Sequence, residues 1–195
     1  MRKLIVVNLV TLDGYFEGPE KNFMAMPLHP VFDTYNAERL DAAETLVLGG
    51  TTYRMFSGFW PAADNPEITG DTRRIARRTA EVGKLVVSAS ITPDDLVDWG
   101  SPTEVIDPAR AADRINELKS GDGGDLVVFG SGRLTNELIA AGLVDEIHLM
   151  VGPAVLAGGT PMFTAPVSGL RLIGARTFDG TDHVVLQYAV APTDA

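Results

Sequence analysis

Apolar residues in this chain fall into short unbroken runs separated by stretches of helical periodicity, and that alternation sets the expected fold. Lys3 to Val10 is β-branched and apolar except at Asn8, which suits a central strand with little solvent on either face. Thr45–Leu48, Lys84–Ser88, Glu104–Ile106 and Leu126–Phe129 read as further buried strands. Asp33 to Ala43 is helical, with Asp33, Ala37 and Leu40 on one face, and Asp71 to Arg78 forms a second helix. Asp107 and Pro108 supply start signals for a helix carrying Ala111, Ile115 and Leu118, which stops at Gly121. Two more helices open directly from glycine corners. One runs from Gly49-Gly50-Thr51-Thr52-Tyr53 through Phe56, and the other follows Gly130-Ser131-Gly132 with Leu134, Leu138 and Ile139 as its apolar face.

After Gly142 the texture changes. Val144 to Val151 is a strand, Gly152 to Phe163 a rigid glycine-rich loop, and Leu170–Phe178 and His183–Val190 are strands around the hairpin signal Asp179-Gly180. Strand–helix alternation followed by strands alone predicts an α/β fold of three layers: a mainly parallel central sheet finished at one edge by antiparallel C-terminal strands. Thr11 to about Pro30 has neither period. Such a length is a surface connection or a lid over the carboxyl end of the first strand, where ligands of open α/β sheets sit.

Composition narrows the function. With 195 residues, 45% of them hydrophobic, the chain can bury one sizeable core, and residues 1–195 read as a single domain. A formal net charge of −10 repels nucleic acid and anionic membranes at long range, while leaving room for a local pocket that takes one phosphate. There is no cysteine, which excludes disulfides and thiolate chemistry. His29, His148 and His183 are too scattered for a metal site. The N-terminal apolar run ends within about eight residues, too short to span a bilayer, so a cytoplasmic protein is expected.

The glycine corners are the candidate chemistry. Glycine lets backbone approach a ligand closely, and a new helix turns free amides and its positive dipole end toward an anion; a purely structural turn is the alternative. The hydroxyls of Thr51 and Thr52 suit a phosphate or a cap equally. Asp33 has two readings as well, as the helix N-cap or as an acid projecting into a pocket. Arg73, Arg74, Arg77 and Arg78 either steer an anionic ligand or form a salt-bridged surface.

Thr11-Leu-Asp-Gly14, Val47-Leu-Gly-Gly-Thr-Thr-Tyr53 with Phe59-Trp-Pro61, Lys84-Leu-Val-Val-Ser88, Val128-Phe-Gly-Ser-Gly132 and Gly142-Leu-Val-Asp-Glu-Ile-His-Leu149 with Leu156-Ala-Gly-Gly159 occur in the order of a known family. The chain resembles the dihydrofolate reductase-like superfamily, and most closely the stand-alone proteins similar to the C-terminal reductase domain of bacterial riboflavin biosynthesis enzymes. That resemblance implies an NADPH site. The Gly49-Gly50 turn with Thr51 and Thr52 would receive the pyrophosphate, and Ser88 would lie near the adenosine 2′-phosphate. Gly130, Ser131, Gly132, Arg133, Leu134 and Thr135 would line the second turn against the diphosphate and nicotinamide ribose. Relatives place an arginine directly after the first glycine, where this chain has Gly50, so Arg73, Arg74 or Lys84 would have to supply the cation that selects NADPH over NADH.

The implied reaction is hydride transfer to a C=N or masked carbonyl of a small pyrimidine or pteridine heterocycle, with 5-amino-6-(5-phosphoribosylamino)uracil as the riboflavin-pathway example. A proton must follow the hydride. Asp33 is the first candidate source, Asp13 the second, and Tyr15 can add a hydroxyl. The reading from a different class is a dinucleotide-binding module without turnover. An apolar edge at Leu170 to Val190 predicts a homodimer.

Overall fold

Six parallel strands and a C-terminal antiparallel hairpin form one eight-stranded sheet in the computed structural model, which describes residues 1–62 and 65–191. In chain order the elements are β1 (Leu4–Thr11), β2 (Tyr15–Glu17), α1 (Pro30–Ala42), β3 (Ala43–Gly49), α2 (Gly50–Phe59), α3 (Gly70–Glu81) and β4 (Gly83–Val87). There follow β5 (Thr103–Ile106), α4 (Ala111–Ser120), β6 (Asp125–Phe129), α5 (Gly132–Ala140), β7 (Glu146–Gly152), β8 (Thr160–Pro161), β9 (Leu170–Thr177) and β10 (Val184–Val190). The sheet runs β5-β4-β3-β6-β1-β7-β10-β9, with β10 antiparallel to both of its neighbours.

The predicted three layers are present because every residue of β1 is buried and alternate residues feed opposite cores. One core joins Val7, Leu46, Leu48 and Val86 to Tyr35 and Leu40 of α1 and Ile75 of α3. The other joins Val6, Val47 and Val128 to Ile115 of α4 and Leu138 of α5. Each fully buried leucine or isoleucine there contributes about 1.5–3 kcal/mol of transfer free energy.

Chain reversals position the functional end. β3, β4 and β5 step outward, and the chain then returns to insert β6 between β3 and β1. The carboxyl ends of β3 and β6 are thereby neighbours at a point where strand order reverses, the place where open α/β sheets bind ligands. Helices α1 and α3 each lead into the amino end of a parallel strand, β3 and β4, so their first turns stand at this same carboxyl end.

Two expectations change. Helix α1 begins at Pro30 rather than Asp33, and its N-cap is His29, whose Nδ1 accepts from the Val31 amide at 3.3 Å. Proline at the first helical position is favoured because its missing amide would go unpaired anyway, and Asp33 is therefore not the cap. The aperiodic segment after β1 also contains structure: β2 pairs antiparallel with β8, more than a hundred residues away. Among the described residues no helix is long and apolar enough to cross a membrane.

Candidate functional site

The two glycine corners touch. At the end of β3, the Gly49 amide donates to Ser131 Oγ at 3.0 Å, and that hydroxyl donates to Thr52 Oγ1 at 2.7 Å. Ser131 can do this because Gly130 and Ser131 are both left-handed, with φ of 59° and 54°. For serine that backbone costs on the order of 1 kcal/mol, and it turns the hydroxyl away from its own helix toward the other corner. Neither Gly49 nor Ser131 caps its helix through a side chain. Two adjacent helix starts, α2 and α5, thus present first-turn amides to one shelf, which suits the two negative phosphates of a diphosphate.

Ser88 completes the outer side of the shelf. A Cβ built on Gly50 would lie 2.5 Å from Ser88 Oγ and 3.5 Å from Ile91 Cγ1. Glycine at position 50 lets α2 pack close to the turn that follows β4; a side chain there would have to displace Ser88 Oγ. Ser88 Oγ accepts from the Ser90 and Ile91 amides at 3.1 and 3.3 Å, building a small hydroxyl-lined turn. Beside it stands Arg54, one helical turn after Gly50, whose guanidinium donates to Ser90 O at 3.0 Å and Ser90 Oγ at 3.3 Å. Sequence reading passed over Arg54; its signal was the i, i+4 spacing from Gly50 on α2.

The cations expected to stand in for an arginine at position 50 are engaged elsewhere. Lys84 is 2% exposed and lies near the amino end of β4, where its ammonium donates to the carbonyls of Val82, Trp99 and Ser101 at 3.1, 3.0 and 3.3 Å. Burial pulls its pKa down to about 8. Arg74 pairs with Asp41 and Asp71, and Arg73 donates to Asn65 O at 3.0 Å. Of the four α3 arginines, Arg74 and Arg78 are salt-bridged, Arg78 to Asp41 and Glu81.

Remaining residues of the second corner divide by depth. Leu134 and Thr135 are buried, Thr135 bonding back to Gly130 O at 3.3 Å, so only their backbone can serve a ligand. Arg133 is exposed and pairs with Glu137 at 3.4 Å. Gly132 lies under the Phe16 ring of β2, and Asn8 of β1 reaches the Gly130 carbonyl at 3.5 Å. A cavity of about 420 Å³ opens beside this corner, lined in part by Phe16, Gly132, Arg133, Asn136 and Thr160.

The two candidate acids differ in what already holds them. Asp13 is exposed, and its carboxylate accepts from Thr11 Oγ1 at 2.6 Å, Leu156 N at 3.3 Å and Ala157 N at 2.8 Å. The threonine hydroxyl, with the backbone amides adding to it, holds its pKa below the usual carboxylate value. An acid stabilised in its charged form is a poor proton donor, and these contacts tie the segment after β1 to the Gly152–Phe163 loop. Asp33 is partly buried in the first turn of α1 and accepts one hydrogen bond, from Thr72 Oγ1 of α3 at 2.7 Å.

An aromatic group lies just past α2. Trp60 stands edge-on to Phe56 and Phe59, with ring centroids 6.0 and 4.8 Å away. Phe56, Trp60 and Phe32 of α1 are partly buried against the same core.

The RibD C-terminal domain pattern matches residues 2–185. A Bacillus subtilis (strain 168) protein, YyaP, is 27% identical over 184 residues, covering 91% of this chain and 89% of its own. Among solved structures, a Shewanella sp. PV-4 protein named for riboflavin biosynthesis superposes with a TM-score of 0.68 at 19% identity, covering 96% and 98% of the two chains. Enterococcus faecalis dihydrofolate reductase, solved with NADP(H), superposes with a TM-score of 0.61 at 18% identity, covering 96% and 95%. These likenesses show the dihydrofolate reductase-like fold.

Proposed function

Because the chain belongs to the RibD C-terminal domain family, we propose that it is an NADPH-dependent reductase of a small pyrimidine- or pteridine-type heterocycle. The observation that carries this reading is the Gly49–Ser131–Thr52 hydrogen-bond chain, which joins two helix starts into one anion-binding shelf. The shelf fits a diphosphate, with Gly49, Gly50, Thr51 and Thr52 on one side and Gly130, Ser131, Gly132, Arg133 and the backbone of Leu134 and Thr135 on the other. Ser88, Ser90 and Arg54 form a cationic, hydroxyl-lined turn suited to the extra phosphate that separates NADPH from NADH.

Bound there, the nicotinamide would supply hydride to an electrophilic carbon of the substrate. The chain's own residues hold the ring against that carbon and exclude water. Phe32, Phe56 and Trp60 offer apolar surface for a planar heterocycle. Hydride addition leaves negative charge on the adjacent heteroatom, and Asp33, directly or through an ordered water, would deliver the proton; Asp13 is already held by Thr11 and the Leu156 and Ala157 amides.

The test is NADPH oxidation followed at 340 nm against dihydrofolate and 5-amino-6-(5-phosphoribosylamino)uracil. Consumption with one of them is expected, together with a fall of about 10²-fold in kcat for Asp33→Asn. Arg54→Gln should weaken NADPH about tenfold while leaving NADH unchanged. NADPH binding without consumption by any substrate would leave a binding module and overturn the reductase reading.

Assembly follows from the hairpin. Leu170, Leu172 and Ile173 of the edge strand β9 are 40%, 53% and 40% exposed, and the two hairpin strands carry Arg171 and Arg176 but no carboxylate. In a chain of net charge −10, this is a surface on which a second copy meets no acidic repulsion. Sedimentation should give a dimer that Leu172→Glu dissociates; a monomeric parent protein rules the dimer out.

A further inference from the structure

Helices α1 and α3 carry the same dipeptide at their facing first turns, Asp33-Thr34 and Asp71-Thr72, and each pair is used reciprocally. Thr34 Oγ1 donates to Asp71 Oδ2 at 2.7 Å, and Thr72 Oγ1 donates to Asp33 Oδ2 at 2.7 Å. The result is a two-bond clasp at the carboxyl end of the sheet. Its halves match in length and chemistry, yet they differ in one respect. Asp71 is also paired with Arg74, at 3.5 Å, whereas among the described residues Asp33 Oδ1 accepts from no donor.

We propose that Thr72 is a positioning residue for the reductase site, fixing the Asp33 carboxylate by one oxygen and leaving the other for the substrate or its water. This inference rests on the reading of Asp33 as the proton source. A carboxylate on a helix surface rotates about two side-chain bonds, and a single short hydrogen bond from a neighbouring helix removes most of that freedom. Thr72 is itself held by α3, whose Ile75 and Ala76 are buried, so the clamp is anchored in the core rather than on a loop. Misplacing a reacting group by about 1 Å can cost on the order of 10²-fold in rate. A hydroxyl that acts only through orientation should therefore affect turnover and spare binding of the dinucleotide.

The geometry provides its own control, because Thr34→Val breaks the other half of the clasp without touching Asp33. With NADPH and whichever of the two substrates the parent protein reduces, Thr72→Val should lower kcat about tenfold, with NADPH Kd unchanged. Thr72→Ser should restore it and Thr34→Val should stay near the parent rate. In an Asp33→Asn background, Thr72→Val should add nothing, since the hydroxyl would then have no carboxylate to orient. If Asp33→Asn is slow but Thr72→Val and Thr34→Val behave alike, the assignment of Thr72 is wrong while the reductase reading stands. If neither substrate is consumed by the parent protein, both fall together.

Discussion

Near the amino end of the sheet, Lys3, Glu146, His148, Tyr35 and Gln187 pass hydrogen bonds from one to the next beneath α1, whereas at the carboxyl end the two glycine corners leave helix amides without side-chain caps. The first set is closed. Lys3 Nζ donates to Glu146 at 2.6 Å, His148 Nε2 to the same carboxylate at 2.9 Å, Tyr35 Oη to His148 Nδ1 at 2.9 Å, and Gln187 Nε2 to Tyr35 Oη at 2.7 Å. Tyr35 and His148 are each 1% exposed, so these partners are what make their burial tolerable. The second set spends left-handed backbone at Ser131 and glycine at position 50 to bring two helix starts together while leaving their first-turn amides without side-chain caps. Polar groups that satisfy one another hold a fold, and polar groups held apart from partners are available to a ligand.

The largest effect expected from this contrast is at Gly50. Replacing it with valine pushes a side chain into Ser88 and Ile91 and separates β4 from α2. NADPH Kd should rise about 10²-fold, equivalent to about 2.7 kcal/mol, a larger loss than the fall in stability that displacing the buried Ile91 brings. Titration calorimetry beside a urea melt distinguishes the two. Unchanged affinity would mean that the dinucleotide does not lie across this corner.

The opposite pattern is expected for Tyr35→Phe. It removes one hydroxyl and leaves His148 Nδ1 and Gln187 Nε2 facing apolar carbon, at a cost of about 1–3 kcal/mol. NADPH affinity should be unaffected. A weakened Kd with normal stability would show that the network at the amino end communicates with the shelf, and the division between closed and open ends would fail.

How much of this could be read in the chain itself depended on range. Strands β1, β3, β4 and β6 were legible because a strand buried on both faces is a continuous apolar run, and the hairpin β9–β10 because Asp179-Gly180 marks its turn. Both corners were visible as glycines between strand and helix. Their contact left no local pattern, since it depends on β6 inserting beside β3 after two intervening strands; it was expected only because the family resemblance put both corners on one dinucleotide. The pairing of β2 with β8 left no local trace, being three residues matched to two across the whole domain. Asp33 was misjudged as a possible cap because the start of α1 was placed at the aspartate rather than at Pro30. Arg54 and Thr72 were overlooked for one reason: each acts on a residue of another element, and the spacing of Arg54 from Gly50 along α2 was the only local sign of either.

The smallest effect, and the one most specific to the closed end, is a pH dependence. Burial lowers the His148 pKa below 6.5, and the Glu146 carboxylate only partly offsets it, so the folded ring stays neutral and donates through Nε2. For Glu146, burial pushes upward, but hydrogen bonds from Lys3 and His148 prevail and its pKa is lowered from 4.5. In both cases the unfolded chain binds protons more readily than the folded one. Stability from His148 is therefore complete above about pH 6.5 and is lost as pH falls through the folded value; Glu146 adds a further loss below about 4.5. Urea melts at intervals from pH 7.5 to 5 should show the midpoint declining. His148→Gln removes the titrating ring while keeping a polar side chain, and its midpoint should be flatter over the same range. His148 is the single residue that differs between the two proteins, so the comparison isolates it. Equal slopes in the two proteins would mean that His148 does not carry the pH response of the closed end.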